Sequence, residues 1–419
     1  APVILNSAGT VTPVAETTTN YTEDLDQTKN YVGGTLNQQS YAVFNKTGDK
    51  ICAVYNDYYG SEYLRVKIGT YSGETISWGG ATIVTSSSSS GGGIWASPHD
   101  ENEFLIWNNS NDDLRTLTIS SGTSFSLGTP VAPVNFYEGS VAYDTVTAGK
   151  FAVVSAPGSG AGRCCIGTIS SGAITISTTN NSYTSAAPTY PFFNQVCYNA
   201  DGNVIVTCMA NGASPENLEV RRGVVSGDTV TFDAYSVVDS ATLQVQGQNT
   251  ISTNICSYDT VANDYLFVYG QSSAGAAAKT GSLSGSTWTF TAVATTASGA
   301  DHVNGIISSG MSMGLAQYQG TSEHMTVCPI TISASRVCTF GSETEINTNA
   351  NNSLNNLDLA QWAGSPTGFY LNAYVAETPS PDRAKISFSQ VAGSITTSTL
   401  TATNFVGIAD AAISSSATG

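Results

Sequence analysis

The sequence has 419 residues, of which only 11% are charged, and 14 Lys and Arg against 31 Asp and Glu give a net charge of −17. A surface this acidic repels polyanions, so nucleic acid is not an expected partner. The sequence contains no run of about 18 apolar residues, and we therefore expect no insertion into a membrane.

Residues 1–37 lie outside any repeat and combine a Thr-rich stretch with the acidic segment EDLD at 23–26. We expect them to form an N-terminal arm or a closing strand. The first residues, APVIL, have neither the basic nor the apolar region of an export signal. We therefore expect synthesis in a cytoplasm and release by another route.

From residue 38 onward one pattern recurs: an apolar alternation, a Ser-Gly type of turn, and a second alternation rich in Thr, Ile and aromatic residues. This pattern is typical of a β-hairpin. The 320 residues from the first turn glycine to the last, divided over six intervals, give a period of about 53 residues, which is typical of propeller blades. The turn glycines are Gly73, Gly122, Gly172, Gly227, Gly285 and Gly393, with Ala334 in the place of a glycine in the sixth copy.

A second, looser hairpin precedes each of these, so every unit should contain four strands. We predict an all-β fold, a β-propeller of seven four-stranded blades, because sheets stacked radially bury faces that a single sheet would expose. Six or eight blades, or a pair of β-sandwiches, remain open alternatives. The propeller should span residues 38–400, with a C-terminal tail at 401–419. The blades are expected near residues 38–86, 93–131, 139–180, 193–240, 251–297, 302–347 and 355–400.

The eight cysteines include no C-x-x-C pair, and none of the three histidines has another histidine within four residues. We therefore expect no metal site and no cofactor. Most cysteines lie in apolar alternations, so buried, reduced thiols are favoured over disulfides. Asp144, Asn199 and Asp259 follow predicted first strands, where they either make turns or bind calcium.

Ligand binding is expected on one face of the propeller. In a four-stranded meander, the links between strands two and three and between blades emerge on the face opposite the short Ser-Gly turns. Aromatic residues on variable loops of a rigid scaffold are typical of a recognition surface, although some could instead pack beneath the loops. The predicted ligand-binding residues are Tyr58, Tyr59, Tyr63, Phe136, Tyr137, Tyr183 and Tyr190.

The arginines argue against one class of propeller enzyme, the sialidases, which use converging arginines and acidic groups. Arg65, Arg115, Arg163 and Arg221 fall on predicted third strands, away from the central axis. No Gly-x-Ser-x-Gly sequence has the strand-turn-helix context of a nucleophile elbow. The sequence therefore predicts no catalytic residues and a protein that is not an enzyme.

One unit, SVAYD at 140–144 with FAVV at 151–154 and IGTISSG at 166–172, resembles the degenerate propeller repeats of virion and tail-fibre proteins of marine and cyanobacterial tailed phages. Residues 403–419 are similar to a stretch that follows such repeats. The resemblance covers most of residues 38–419 and carries no catalytic residues.

The resemblance implies a non-enzymatic structural or adhesion protein of a phage virion, part of a tail fibre, an appendage or the capsid surface. It further implies a symmetric homo-oligomer on an extracellular particle, in contact with other virion proteins and with a host-surface glycan. The alternatives are a secreted or cell-surface carbohydrate-binding propeller and a glycan-degrading enzyme.

Overall fold

The computed structural model describes most of the predicted repeat region. The described residues are 3–5, 11–13, 17–24, 40–58, 62–72, 75–85, 92–109, 111–133, 139–155, 161–179, 181–184, 192–210, 217–240, 254–271, 275–296, 300–308, 310, 312–320, 324–347, 358–361, 369–376 and 383–391. All regular elements within these ranges are strands, and no helix that could cross a membrane occurs among them. The predicted C-terminal tail, 401–419, lies outside the described residues.

The strands form one small sheet and seven larger antiparallel sheets. The small sheet pairs β1 (Val3–Leu5) with β2 (Val11–Pro13), and β3 (Thr17–Asp24) follows. The first large sheet contains β4 (Ser40–Phe44), β5 (Lys50–Tyr58), β6 (Glu62–Ser72), β7 (Thr75–Trp78) and β8 (Thr82–Thr85). The second contains β9 (Gly92–Ala96), β10 (Glu103–Asn108), β11 (Asp113–Ser121) and β12 (Ser124–Leu127).

The next two sheets repeat this arrangement. The third contains β13 (Ser140–Tyr143), β14 (Lys150–Ser155), β15 (Arg163–Ser170), β16 (Ala173–Ile176) and β17 (Asn181–Ser182). The fourth contains β18 (Phe192–Tyr198), β19 (Val204–Ala210), β20 (Asn217–Ser226), β21 (Thr229–Phe232) and β22 (Ser236–Asp239).

Three further sheets complete the set. The fifth contains β23 (Cys256–Asp259), β24 (Asp264–Gln271), β25 (Gly275–Ser284), β26 (Thr287–Phe290) and β27 (Ala294–Thr295). The sixth contains β28 (Ala300–Ser308), β29 (Met313–Gly320), β30 (Met325–Ile332), β31 (Cys338–Phe340) and β32 (Thr344–Asn347). The seventh contains β33 (Asp358–Gln361), β34 (Phe369–Ala376) and β35 (Arg383–Val391), with β3 as its outer strand.

The sheets are arranged in a closed ring. Each innermost strand contacts the next, in the order β4, β9, β13, β18, β23, β28 and β33, and β33 contacts β4. The predicted all-β propeller is thereby confirmed. The N-terminal strand β3 pairs antiparallel with β35, from Thr17 opposite Val391 to Asp24 opposite Lys385.

The prediction of four strands per sheet is incomplete. In five of the seven sheets a short additional strand pairs with the third strand, beyond the end of the fourth. In the second sheet a single bridge between Leu114 and Val131 takes that position. The cause is that the chain, after leaving the fourth strand, still runs beside the exposed end of a third strand twice as long.

Apolar second strands form the core between sheets. Along β24, Tyr265, Phe267 and Tyr269 pack toward the fourth sheet, whereas Leu266 and Val268 pack toward the sixth. Because side chains alternate along a strand, one continuous apolar run serves two interfaces. This double burial explains why second strands show no polar-apolar alternation.

The Ser-Gly turns depend on backbone conformation. Gly122, Gly172, Gly227 and Gly285 all have positive φ, the region that glycine adopts without a steric penalty. In the sixth turn the positive φ falls on Arg336 rather than on the predicted Ala334. That turn is longer, because the Ser333 amide donates to the carbonyl of residue 337 at 3.0 Å.

Candidate functional site

The predicted ligand-binding aromatics are only partly within the described residues. Tyr59, Phe136, Tyr137 and Tyr190 lie outside them, and Tyr58 ends β5 with a side chain that is not described. The ring of Tyr63, in β6, is half-buried, and the Arg65 guanidinium lies over it at 5.9 Å from the ring centroid. The expected aromatic surface therefore stays a prediction.

The structure corrects the prediction for Tyr183. The sequence predicts an exposed loop at this position, but the Tyr183 side chain is only 1% exposed and packs against Phe232, with ring centroids 5.8 Å apart. Its hydroxyl lies 3.1 Å from the carbonyl oxygen of Ser155 and also contacts the side chain of Asn194. The physical reason is β17, which pairs with β15 and directs the ring between the third and fourth sheets.

The turn residues that could have bound calcium instead bind backbone amides. Asp144 Oδ1 accepts hydrogen bonds from the amides of residues 146 and 147, at 2.8 and 3.1 Å. Asn199 Oδ1 likewise accepts from residues 201 and 203 at 3.1 and 3.0 Å. Asp259 Oδ1 accepts from residues 261 and 262 and from Gly310 of the next sheet, at 3.0, 3.1 and 2.9 Å. These side chains make turns and, at Asp259, join two sheets.

A group of four polar side chains, here called the Asp239 cluster, lies between the fourth and fifth sheets. Its members are Asp239, Tyr269, Gln271 and Lys279. Oδ2 of Asp239 accepts a hydrogen bond from the Tyr269 hydroxyl at 2.5 Å and one from Gln271 Nε2 at 2.7 Å. Lys279 Nζ donates to the carbonyl oxygen of Val238 at 2.7 Å.

Three strands position this cluster: β22, β24 and, for Lys279, β25. Asp239 is the last residue of β22, and Gln271 is the last residue of β24. Both strands end on the face from which the links to the next strand or sheet leave. Tyr269 and Gln271 are two residues apart, so their side chains point to the same side of β24, toward β22. The fold thus brings a carboxylate from one sheet against a phenol, an amide and an ammonium from the next.

The electrostatics of the cluster follow from its burial, since Tyr269 and Gln271 are buried and Asp239 and Lys279 are half-buried. Burial raises the pKa of Tyr269, and the hydrogen bond and negative charge of Asp239 raise it further. The phenol therefore stays protonated and keeps donating at neutral pH. Burial lowers the pKa of Lys279, although the Asp239 carboxylate opposes this shift. The cluster therefore combines a carboxylate, a phenol that donates to it and a lysine ammonium with a lowered pKa. These are the groups needed for general acid–base chemistry.

Sequence reasoning missed this cluster. Its members lie in two repeat units and on three strands, and β22 itself was not predicted. The described residues contain no group of three or more His, Cys, Asp and Glu side chains that could bind a metal ion.

No protein-family model matches the sequence, and no curated protein matches it. Solved structures do. A protein from Lactobacillus plantarum has a TM-score of 0.54 at 10% identity, over 74% of this chain and 85% of that one. A candidate 6-phosphogluconolactonase from Bacteroides fragilis scores 0.53 at 9% identity, over 73% and 84%. The periplasmic gluconolactonase of Pseudomonas aeruginosa scores 0.53 at 9% identity, over 74% and 86%. At such identity the likeness shows the fold alone.

These structures correct two predictions. All three are bacterial propellers, and two carry names of lactonases. The prediction of a non-enzymatic phage virion protein, and the prediction that the chain is not an enzyme, are therefore wrong. The first followed from low-complexity hairpin repeats, which the architecture itself requires whatever the protein does. The second followed from the positions of the arginines and the lack of a nucleophile-elbow motif. The expected homo-oligomer and extracellular location stay predictions.

Proposed function

We propose that the protein is a propeller hydrolase, with each of the seven sheets as one blade, that opens a sugar lactone at the Asp239 cluster. The observation that carries this proposal is the meeting of Asp239, Tyr269 and Lys279 between two sheets. The shared architecture with proteins named as gluconolactonase and 6-phosphogluconolactonase supports the choice of substrate class.

Lactone hydrolysis needs a base for the attacking water and a positive group near the carbonyl oxygen. Asp239 would accept the proton from water as its oxygen bonds to the acyl carbon. Lys279 would stabilise the developing oxyanion and then protonate the ring oxygen when the carbon–oxygen bond breaks. The product is an open-chain hydroxy acid, and the lysine recovers its proton from Asp239 or from solvent.

Tyr269 and Gln271 have a different part in this scheme. Both donate to the same oxygen, Oδ2, and so fix the orientation of the Asp239 carboxylate. They are positioning residues, because they act through Asp239 rather than on the substrate. Removal of these side chains from water strengthens the electrostatic interactions of the cluster relative to those in bulk water.

The test is a hydrolysis assay with glucono-1,5-lactone and its 6-phosphate, following acid release above the spontaneous rate. Wild type should accelerate at least one substrate, and Asp239→Asn, which is nearly isosteric, should lose about 100-fold or more in kcat. Asp233→Asn is the matched control. That carboxylate belongs to the same sheet but pairs with Arg222 at 2.8 Å, so the activity should be unchanged. No acceleration of either lactone, or full activity in Asp239→Asn, would show the proposal to be wrong.

A further inference from the structure

Two thiols from neighbouring sheets lie side by side near the centre of the ring. Cys197 is in β18 and Cys256 begins β23, the innermost strands of the fourth and fifth sheets. Their sulfur atoms are 3.9 Å apart, and the two strands contact each other. A disulfide bond requires a sulfur separation of about 2.05 Å, so a change of roughly 2 Å in side-chain position would join them.

The backbone at this point is already held in place. The Gln195 side chain bridges the two strands, because its Oε1 accepts from the Cys256 amide at 2.6 Å and its Nε2 donates to the Cys256 carbonyl at 3.0 Å. Gln195 and Cys197 lie on the same side of β18, two residues apart. The double hydrogen bond therefore keeps the two sulfur atoms in register and leaves rotation of the side chains as the main movement needed.

The two thiols differ in accessibility. Cys197 is the one half-buried cysteine of the eight, and the other seven are buried. Cys256 is 2% exposed, and burial followed by the contact with Cys197 raises its pKa. A small oxidant entering from solvent would therefore react with Cys197 first, and the neighbouring Cys256 would be the second thiol to react. This order is the one found in thiol pairs that form disulfides through a sulfenic acid.

The geometry points to Cys197 and Cys256 as an oxidation-sensitive pair that closes into a disulfide between the fourth and fifth sheets, with a peroxide as the oxidant. The Cys197 sulfur attacks one peroxide oxygen, the oxygen–oxygen bond breaks, and a sulfenic acid and one water form. The Cys256 sulfur then attacks the Cys197 sulfur, the sulfur–oxygen bond breaks, and the second water leaves. Two thiols lose two electrons and two protons, and one peroxide becomes two waters.

This bond would link two sheets that are otherwise joined at this point by hydrogen bonds and packing. It would fix the spacing of the same two sheets whose outer parts form the Asp239 cluster. The inference does not depend on the proposed hydrolase activity, since it concerns the thiols alone and is measured without a substrate.

The experiment treats the folded full chain with hydrogen peroxide, removes it, and then alkylates all remaining thiols under denaturing conditions before mass analysis. Wild type should lose two alkylatable thiols together, with the missing pair mapped to a peptide joining Cys197 and Cys256. Dithiothreitol should restore both. The thermal midpoint of the oxidised protein should rise by about 3 °C or more.

Three variants separate this pair from general oxidation. Cys197→Ser should keep every remaining thiol after peroxide. Cys256→Ser should instead accumulate a sulfenic acid at Cys197 that a 1,3-diketone traps. Cys338→Ser, the matched control from a buried cysteine in the sixth sheet, should cross-link as wild type does. Full alkylation of both thiols in oxidised wild type, or a cross-link mapped to the adjacent Cys164 and Cys165, would overturn the inference.

Discussion

Arg336, in the turn of the sixth sheet, reaches back to the fifth sheet, where its Nε donates to Oδ2 of Asp264 at 2.7 Å. Its Nη2 also lies 3.5 Å from Oδ2 of Asp259, a carboxylate only 1% exposed. The Arg336 carbonyl accepts a hydrogen bond from Thr280 Oγ1 at 2.5 Å. One residue thus joins two sheets through both its side chain and its backbone.

Arg336→Ala should destabilise the protein by about 1–3 kcal/mol, because it leaves the buried Asp259 carboxylate without its cationic partner. The free energy of urea unfolding measures this. Lys46→Ala is the control, since the exposed Lys46 ammonium donates to a single carbonyl and its loss should change stability by less than about 0.5 kcal/mol. Equal losses for the two variants would contradict the structural role assigned to Arg336.

Gly167 occupies a place in β15 that has no room for a side chain. A Cβ atom there would lie 2.1 Å from Cζ of Phe151 on the neighbouring strand. Gly167→Ala should therefore lower the free energy of unfolding by about 1–3 kcal/mol through overpacking. Gly80→Ala is the matched control, because a Cβ at that position has nothing within 4 Å. A stability equal to that of the control would mean that the Phe151 ring moves aside freely.

Tyr198 should make stability fall at high pH. Burial raises its pKa above the ordinary value of 10.0, so the folded protein retains a proton that the unfolded chain releases. Its stabilising contribution is complete well below pH 10 and is lost progressively as the pH approaches 10 and rises toward the raised pKa. The loss amounts to about 1 kcal/mol at pH near 10.5. Tyr198→Phe should remove that part of the decline between about pH 8 and 10.5, as urea unfolding would show.

Tyr235→Phe serves as the comparison for Tyr198→Phe, because the Tyr235 side chain is 52% exposed. Its removal should leave the alkaline decline of wild type intact. If both variants give the same pH dependence as wild type, the decline comes from other groups.

Tyr269→Phe tests the positioning role within the Asp239 cluster. Loss of the hydroxyl removes one of the hydrogen bonds to Asp239 Oδ2, so kcat for the lactone should fall by about 10-fold while KM changes little. Tyr258→Phe, in the same sheet, removes a hydroxyl that donates to the exposed Asn263 side chain, outside the Asp239 cluster, and should leave kcat unchanged. A change in KM alone would assign Tyr269 to substrate binding instead.

Much of the architecture could be predicted because each unit repeats the same local chemistry. The glycines that need a positive φ are visible in the sequence, as at Gly122 and Gly172, and they lie between the third and fourth strands as expected. Arg65, Arg115 and Arg163 also lie on third strands, in β6, β11 and β15. Hairpins depend on residues that are close together in the chain, so their patterns can be recognised in a single sequence.

The candidate site could not be predicted, because it depends on contacts between units. Asp239 and Tyr269 are separated by 30 residues and belong to different sheets, and no spacing rule connects them. The prediction for Tyr183 was wrong because its local sequence is misleading. Its surroundings look like a loop in sequence, but the two-residue strand β17 is too short to show a periodicity, and burial of the ring is decided by Phe232 of the next sheet.

The pairing of β3 with β35 connects residues more than 360 positions apart. Each hairpin can form from neighbouring residues as soon as they are synthesised, whereas β3, the outer strand of the last sheet, cannot pair with β35 until residues 383–391 are available. The slow step of folding should therefore be the joining of the two ends rather than the formation of any single sheet. Until β35 has been synthesised, the edge of β3 that will pair with it is open, and it can pair with strands of other chains.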